Sequence, residues 1–291
     1  MAENSKIEWC DHTVNLWWGC SKVHTGCDNC YAENTANRWG NDVWGNDKPR
    51  REVKSCFKDL NKYEKIGAES GIKQVVFIGS MMDIFEKPTP MIFSNGEPIL
   101  ATTTGGKIQV KTSEIRNLLF DLISRGKFDN LIFLFLTKRP PNISKYIPEK
   151  WKENPPKNVW FGTSISDQKT ADDLVFSLIK NAPAKAKRFL SIEPQIDSIS
   201  LTNIKLPNEH ILNALTGNIS FPYGQCKEYE SQKINWIIQG GESGNKKRPF
   251  KTEWAYRLKS QCKNFGTPYF FKQIDKVRQI PPDLLIREKP F

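Results

Sequence analysis

VVFIGSMMD at 75–83 and LIFLFLTKRP at 131–140 decide how this chain folds. Each opens on a short unbroken apolar run and closes on a polar cluster, SMMD in the first and TKRP in the second. A strand with one wet face alternates apolar and polar residues. A strand covered on both faces is apolar throughout, which is the pattern of a parallel sheet. The unit recurs in shorter form: NVWFG (158–162) before TSIS (163–166), RFL (188–190) before SIEP (191–194), WII (236–238) before GGESG (240–244), and YFF (269–271) before KQ (272–273). TVNLWWG at 13–19 reads as one more short buried strand at the head of the series. Helical patterns lie between, in SEIRNLLFDLIS (113–124), TADDLVFSLIK (170–180) and TEWAYRLKSQC (252–262). Strand alternating with helix means βα units. The chain is therefore expected to be α/β, a partial (β/α)6-type TIM-like barrel in one domain over 1–291. In such barrels the polar residues at strand C-termini build the site.

Two segments break the rhythm. SNGEPILATTTGGKIQVKT (94–112) predicts a β-hairpin turning near Gly105 and Gly106. The stretch 200–234 is long and mixed, with His210, a Pro-Tyr-Gly at 222–224 and Cys226, and insertions of this kind often carry specificity. YAENTANRW (31–39) predicts a helix, and 40–57 an irregular loop. Trp39, Trp44 and the basic group KPRR (48–51) lie here. Aromatics interleaved with cations can stack on bases and touch phosphates; equally, the tryptophans can pack the loop onto the barrel.

The loop after the first strand carries the chemistry. WWGCSKVHTGCDNCY (17–31) places Cys20, Cys27 and Cys30 in a C-x6-C-x2-C arrangement. A structural zinc takes four closed ligands, and a [4Fe–4S] cluster usually four thiolates. Three cysteines without an obvious fourth point to an iron site kept open for something else. S-adenosylmethionine is the candidate, through its amino and carboxylate groups. His24, inside the loop, leaves a Cys3His zinc site as the competing reading. Seven cysteines, three of them clustered, fit a metal site better than a disulfide framework. Cys10, Cys56, Cys226 and Cys262 stand alone and read as small buried residues, with Cys10 the outside candidate.

Composition narrows the partners. The 291 residues carry a net charge of +11, which favours polyanions, nucleic acid first; the plainer reading is a lysine-rich surface. No run nears the roughly 18 apolar residues of a membrane span. MAENSKIEW has no signal-peptide character, so a cytoplasmic, non-membrane protein with reduced thiols is expected. The three histidines, His12, His24 and His210, avoid the strand ends, which argues against hydrolase chemistry. GGESG matches neither a dinucleotide nor a P-loop fingerprint.

Seven stretches in order, IEWCDHTVNLWWGCSKVHTGCDNCYAE, FIGSMMDIF, LTKRPPNI, NVWFGTSIS, RFLSIEPQI, INWIIQGGESGNKKRP and EWAYRLKSQCKNFGTPYFFKQ, together resemble a phage- and prophage-encoded family of radical-SAM-like proteins with a three-cysteine motif. The likeness runs from about residue 7 to 274. It implies a radical S-adenosylmethionine barrel in a phage-infected or prophage-bearing bacterial cell, a [4Fe–4S] cluster on Cys20, Cys27 and Cys30, and an external electron donor. The spacing departs from the usual C-x3-C-x2-C: the first gap is six, Asn29 stands where an aromatic is usual, and Tyr31 lies on the other side of Cys30.

Within that scheme each strand end has an expected role. Ser80 and Asp83 would take the methionine ammonium, which needs acceptors, with Tyr31 beside the cluster. Lys138 and Arg139 would pair with a carboxylate or phosphate. Ser164, Ser191 and Glu193 would serve the ribose hydroxyls or the carboxylate. Gly240 and Gly241 would let the backbone approach the ligand, with Glu242 beside them. Lys246, Lys247, Arg248, Lys272 and Gln273 are weaker substrate candidates. The expected function is radical modification of a nucleic-acid base or nucleotide, such as a thymine in phage DNA. A spore-photoproduct-lyase-like repair enzyme and a non-catalytic, metal-stabilised nucleic-acid-binding protein are the alternatives.

Overall fold

Seven parallel strands form the main sheet, lying side by side in chain order: β1 (His12–Val14), β2 (Gln74–Ile78), β3 (Leu131–Thr137), β4 (Val159–Ser164), β5 (Lys187–Ile192), β6 (Trp236–Gly240) and β7 (Tyr269–Gln273). The computed structural model describes residues 7–221, 229–230, 232–244 and 246–291; the 222–224 turn and Cys226 lie outside them. Five longer helices accompany the strands: α1 (Tyr31–Arg38), α2 (Cys56–Ser70), α3 (Thr112–Ser124), α4 (Gln168–Asn181) and α5 (Thr252–Asn264). None among the described residues is long and apolar enough to cross a membrane.

The apolar runs are buried on both sides, and the pleat sorts them. Val76, Ile78, Phe133, Phe135, Phe161, Leu190, Ile237 and Phe271 join the large core under the helices. Phe77, Leu134, Trp160, Phe189, Trp236, Ile238 and Phe270 form a second cluster on the other face, around Trp9. That second face is concave. The Trp9 ring lies 4.7 Å from Phe77 on β2 and 6.3 Å from Trp236 on β6. Strands four places apart in a flat sheet would be about 19 Å apart. The sheet is thus a curled half-barrel. Phe291 packs edge-on against Trp160 and Trp236, at 5.6 and 5.2 Å.

The connections account for the differences from the sequence reading. The first strand is shorter than 13–19, because Asn15 ends it. Its Oδ1 accepts from the Met81 amide at 2.7 Å and its Nδ2 donates to Ser80 Oγ at 2.8 Å. Trp17–Trp18 then pairs with Arg50–Glu52 in a separate small sheet. The 40–57 loop thus contains a strand, and α2, unpredicted, follows it. Cys56, Leu60, Tyr63 and Gly67 supply the buried stripe of α2, and Gly71 ends it at φ 68°. The 94–112 hairpin is present as Leu100–Thr103 paired with Gly106–Gln109. The 200–234 insertion builds a small antiparallel sheet. Its Ile204, Leu212 and Leu215 enter the outer core, and the Lys205 amide bonds Asp172 on α4 at 3.0 Å. It occupies the place of a helix between β5 and β6, and none of its described residues lines the cavity at the strand ends.

Gly162 on β4 lies under the Phe189 ring; a Cβ there would sit 2.4 Å from it. Gly162→Ala is expected to cost about 1–3 kcal/mol by overpacking, or about 2–5 °C in Tm for a chain of this size. Adding Phe189→Leu should recover part of the loss in thermal unfolding. A strictly additive double variant would show that the ring contact is not the cause.

Candidate functional site

Along the concave face the pleat carries each strand from apolar to polar. Trp160 is followed two residues on by Gly162 and then Ser164, Phe189 by Ser191 and Glu193, Phe270 by Lys272. Near these ends lies a cavity of about 310 Å³. Its wall includes Cys20, Cys27, Cys30, Tyr31, Ser80, Asp83, Lys138, Arg139, Ser164, Ser191, Glu193, Gly241, Glu242, Lys272 and Gln273. Of the residues singled out from sequence, Gly240, Lys246, Lys247 and Arg248 do not line it. Trp9, Phe77 and Leu136 also line it, as do Lys22, Asn29, Trp44, Ser243 and Lys276. Trp9 was illegible because it precedes the first strand. Lys276 could have been found by reading three residues past the KQ that ends β7.

Asp83 is the hub. Its Oδ1 accepts from Thr137 Oγ1 at 2.7 Å and the Phe85 amide at 3.0 Å; its Oδ2 accepts from the Lys138 amide at 3.0 Å and Arg139 at 2.8 Å. Two carboxylate oxygens offer about four lone-pair sites, so Asp83 has little acceptor capacity left for a ligand ammonium. Arg139 continues outward. It donates to Ser21 O at 2.7 Å and Ser21 Oγ at 2.8 Å, and touches Cys20 Sγ at 3.6 Å. Burial opposes its charge, but Asp83 and Cys20 outweigh that and raise its pKa.

A second arginine holds the other side of the loop. Arg248 reaches Glu242 with Nη2 at 2.8 Å and Nε at 3.0 Å, and Thr25 O with Nη1 at 3.0 Å. Asn29 adds 3.1 Å to Glu242 and 2.9 Å to Lys246 O. Burial works against the Glu242 carboxylate, yet these donors hold it below its usual range. Gly26 lets the loop seat here: a Cβ would meet Ser166 Oγ at 2.2 Å. Arg248 therefore fastens the loop, Lys247 pairs with Asp275 at 3.3 Å, and Glu193 pairs with Lys272. The 48–51 cations are likewise engaged. Lys48 pairs with Asp42, Arg50 is buried bidentate on Glu86 at 2.9 and 3.0 Å, and Arg51 stacks on Trp18 at 4.4 Å. Trp44 packs beneath α1 and lines the cavity, whereas Trp39 is 73% exposed.

The three loop cysteines are free thiols. Burial pushes Cys20 up to about 12, against the pull of Arg139. Cys10 lies in the inner cluster, off the cavity wall, and Cys56 and Cys262 lie in the outer core. Among the described residues no three His, Cys, Asp or Glu side chains meet closely enough to hold a metal ion as they stand. His24 Nδ1 accepts the Gly26 amide at 3.0 Å, so the neutral ring carries its proton on Nε2 and offers no lone pair there.

A family model described as "Protein of unknown function (DUF5131)" matches residues 4–281. The chain belongs to that family. Searches of curated proteins and of solved structures returned no match.

Two outcomes follow from the geometry of this DUF5131 chain. Cys20 should label slowly with a thiol reagent in metal-free protein, and Arg139→Ala should speed it severalfold despite removing a cation, because burial is the larger effect on that thiol. Mass-spectrometric labelling rates check this; an unchanged rate would mean Arg139 does not hold the loop. Burial and Lys138 lower His24 to about 4, whereas the unfolded ring titrates near 6.5. The unfolded chain thus takes up this proton first, and stability should fall as pH drops from about 6.5 to 4. His24→Asn, which keeps an acceptor for Gly26, should flatten that part of the Tm–pH profile.

Proposed function

We propose that this chain is a radical S-adenosylmethionine enzyme on a barrel of that kind, with a [4Fe–4S] cluster on Cys20, Cys27 and Cys30, acting on a nucleic-acid base or nucleotide. The observation that carries the reading is that three free thiols from one loop line a single cavity together with the polar ends of the parallel strands. The donor set fits such a group. Three thiols supply three ligands, the cavity leaves room for a fourth from a bound molecule, and His24 is already committed through Nδ1. The loop is clasped by Arg139 and Arg248 through protein contacts alone, so its cysteines are not needed to order it. This favours chemistry over a purely structural metal.

Bound together, the cluster and S-adenosylmethionine would supply a 5′-deoxyadenosyl radical able to take hydrogen from unactivated carbon, given an electron from an external donor and with methionine as the leaving group. The residues of the chain bind and orient. Ser80 receives a bond from Asn15 and keeps its own proton to donate, while its carbonyl takes the Tyr31 hydroxyl at 2.6 Å. The Ser164 and Ser191 hydroxyls and the Glu193–Lys272 pair offer donors and acceptors for a ribose. Lys138 offers its ammonium to a carboxylate or phosphate. Trp9, Phe77 and Leu136 keep the inner wall apolar and exclude water.

Anaerobic reconstitution with iron and sulfide tests the reading. About four irons per chain are expected, with 5′-deoxyadenosine formed once S-adenosylmethionine and a strong reductant are added. Alanine at Cys20, Cys27 or Cys30 should abolish iron loading, and Cys226→Ala should leave it intact. Stoichiometric zinc without iron, or full loading in the Cys20→Ala chain, would overturn the assignment.

A further inference from the structure

The cavity wall carries more positive than negative charge, and its charges are unequally engaged. Five cations and three carboxylates line it. The carboxylates Asp83, Glu193 and Glu242 are each paired with a cation, and Lys22 is paired with Glu33. Lys138 and Lys276 have no carboxylate partner among the described residues. Lys276 is held in the left-handed region at φ 64°, which disfavours a non-glycine residue. The turn is fixed by Asp275, which accepts the Val277 and Arg278 amides at 3.0 and 2.8 Å. The two lysines follow β3 and β7, so one stands on each side of the sheet's middle.

A third feature leads away from the same opening. α1 starts at Tyr31, on the cavity wall, and runs eight residues, about 12 Å. Tyr31, Asn34 and Arg38 fall at i, i+3 and i+7, one exposed helical stripe. The stripe ends beside Trp39, whose indole is mostly in solvent. Exposed aromatic plates alternating with unpaired cations are the means by which proteins hold single strands. A base stacked inside a duplex cannot enter a cavity of about 310 Å³; it must be unpaired or turned out first.

We propose that the substrate is a nucleic-acid strand in single-stranded or extruded form, which stacks on Trp39, follows the Tyr31–Asn34–Arg38 stripe and sets its phosphates on Lys138 and Lys276 as one nucleotide enters the cavity. This rests on the nucleic-acid part of the function proposed above and names the form of substrate it takes.

Fluorescence anisotropy on the metal-free 291-residue chain tests it, with a labelled 12-nucleotide DNA strand, its perfect duplex, and a duplex carrying one unpaired nucleotide. The single strand should bind tightest, the bulged duplex next and the perfect duplex weakest. Trp39→Ala should weaken single-strand binding about tenfold. The Lys138→Gln/Lys276→Gln chain should lower the slope of log K against log salt by about 1.4, since each single-strand phosphate contact contributes about 0.7. Lys150→Gln/Lys157→Gln, beside a groove away from the cavity, should change neither. Tighter binding to perfect duplex, wild-type binding by the Trp39 and Lys138/Lys276 variants, or equal competition by poly-glutamate would overturn the proposal. Iron content and 5′-deoxyadenosine formation, measured on the same preparations, report separately on the cluster reading.

Discussion

The Asp83 carboxylate ties the strand ends to the cysteine loop. Four donors from two βα turns converge on it, and one of them, Arg139, carries the connection to Ser21 and Cys20. The pair is largely buried, at 6% and 13% side-chain exposure. Removing one partner of such a pair typically costs about 3–5 kcal/mol, because the other charge is left stranded. The same carboxylate that closes the β2 turn therefore sets where the first loop lies over the cavity. Beneath it, the bidentate Arg50–Glu86 pair and Arg116, which donates to Ile84 O and Glu86 O, fix the next turn in the same way.

The main sheet was legible in the sequence because the physics behind it is local. LIFLFL and VVFIG are short unbroken runs rich in aromatic and β-branched residues, the pattern of strands covered on both faces, and the polar cluster after each run marks the end that faces the cavity. The hairpin and the helices at 113–124, 170–180 and 252–262 followed from turn chemistry and periodicity. α2 was missed because CFKDLNKYEKIG carries its buried stripe on a cysteine, a leucine, a tyrosine and a glycine, which is too mixed to stand out. The early end of β1 was hidden in Asn15, whose side-chain bonds to Ser80 and Met81 depend on residues more than sixty positions away.

The site was legible in membership and not in pairing. Most of the strand-end residues chosen from sequence line one cavity. Their partners were invisible, because an ion pair between separate strand ends leaves no trace in spacing. Asp83 was read as a ligand group and is saturated by the protein. Arg248 was read as a weaker substrate candidate, and it fastens the loop to Glu242. Charge composition pointed to a polyanion, yet much of the basic group at 48–51 is spent on structure, and the cavity cations without a carboxylate partner among the described residues are Lys138 and Lys276.

Trp9, Phe77 and Trp236 pack together on the inner face of the curled sheet, and Trp9 and Phe77 reach the cavity wall opposite the polar strand ends. The wall is thus divided into a dry side and a charged side. A molecule held there would be sorted along its own length, its apolar part against the rings and its charged part against the strand ends. Such a division sets which way round a ligand lies before any single hydrogen bond selects it.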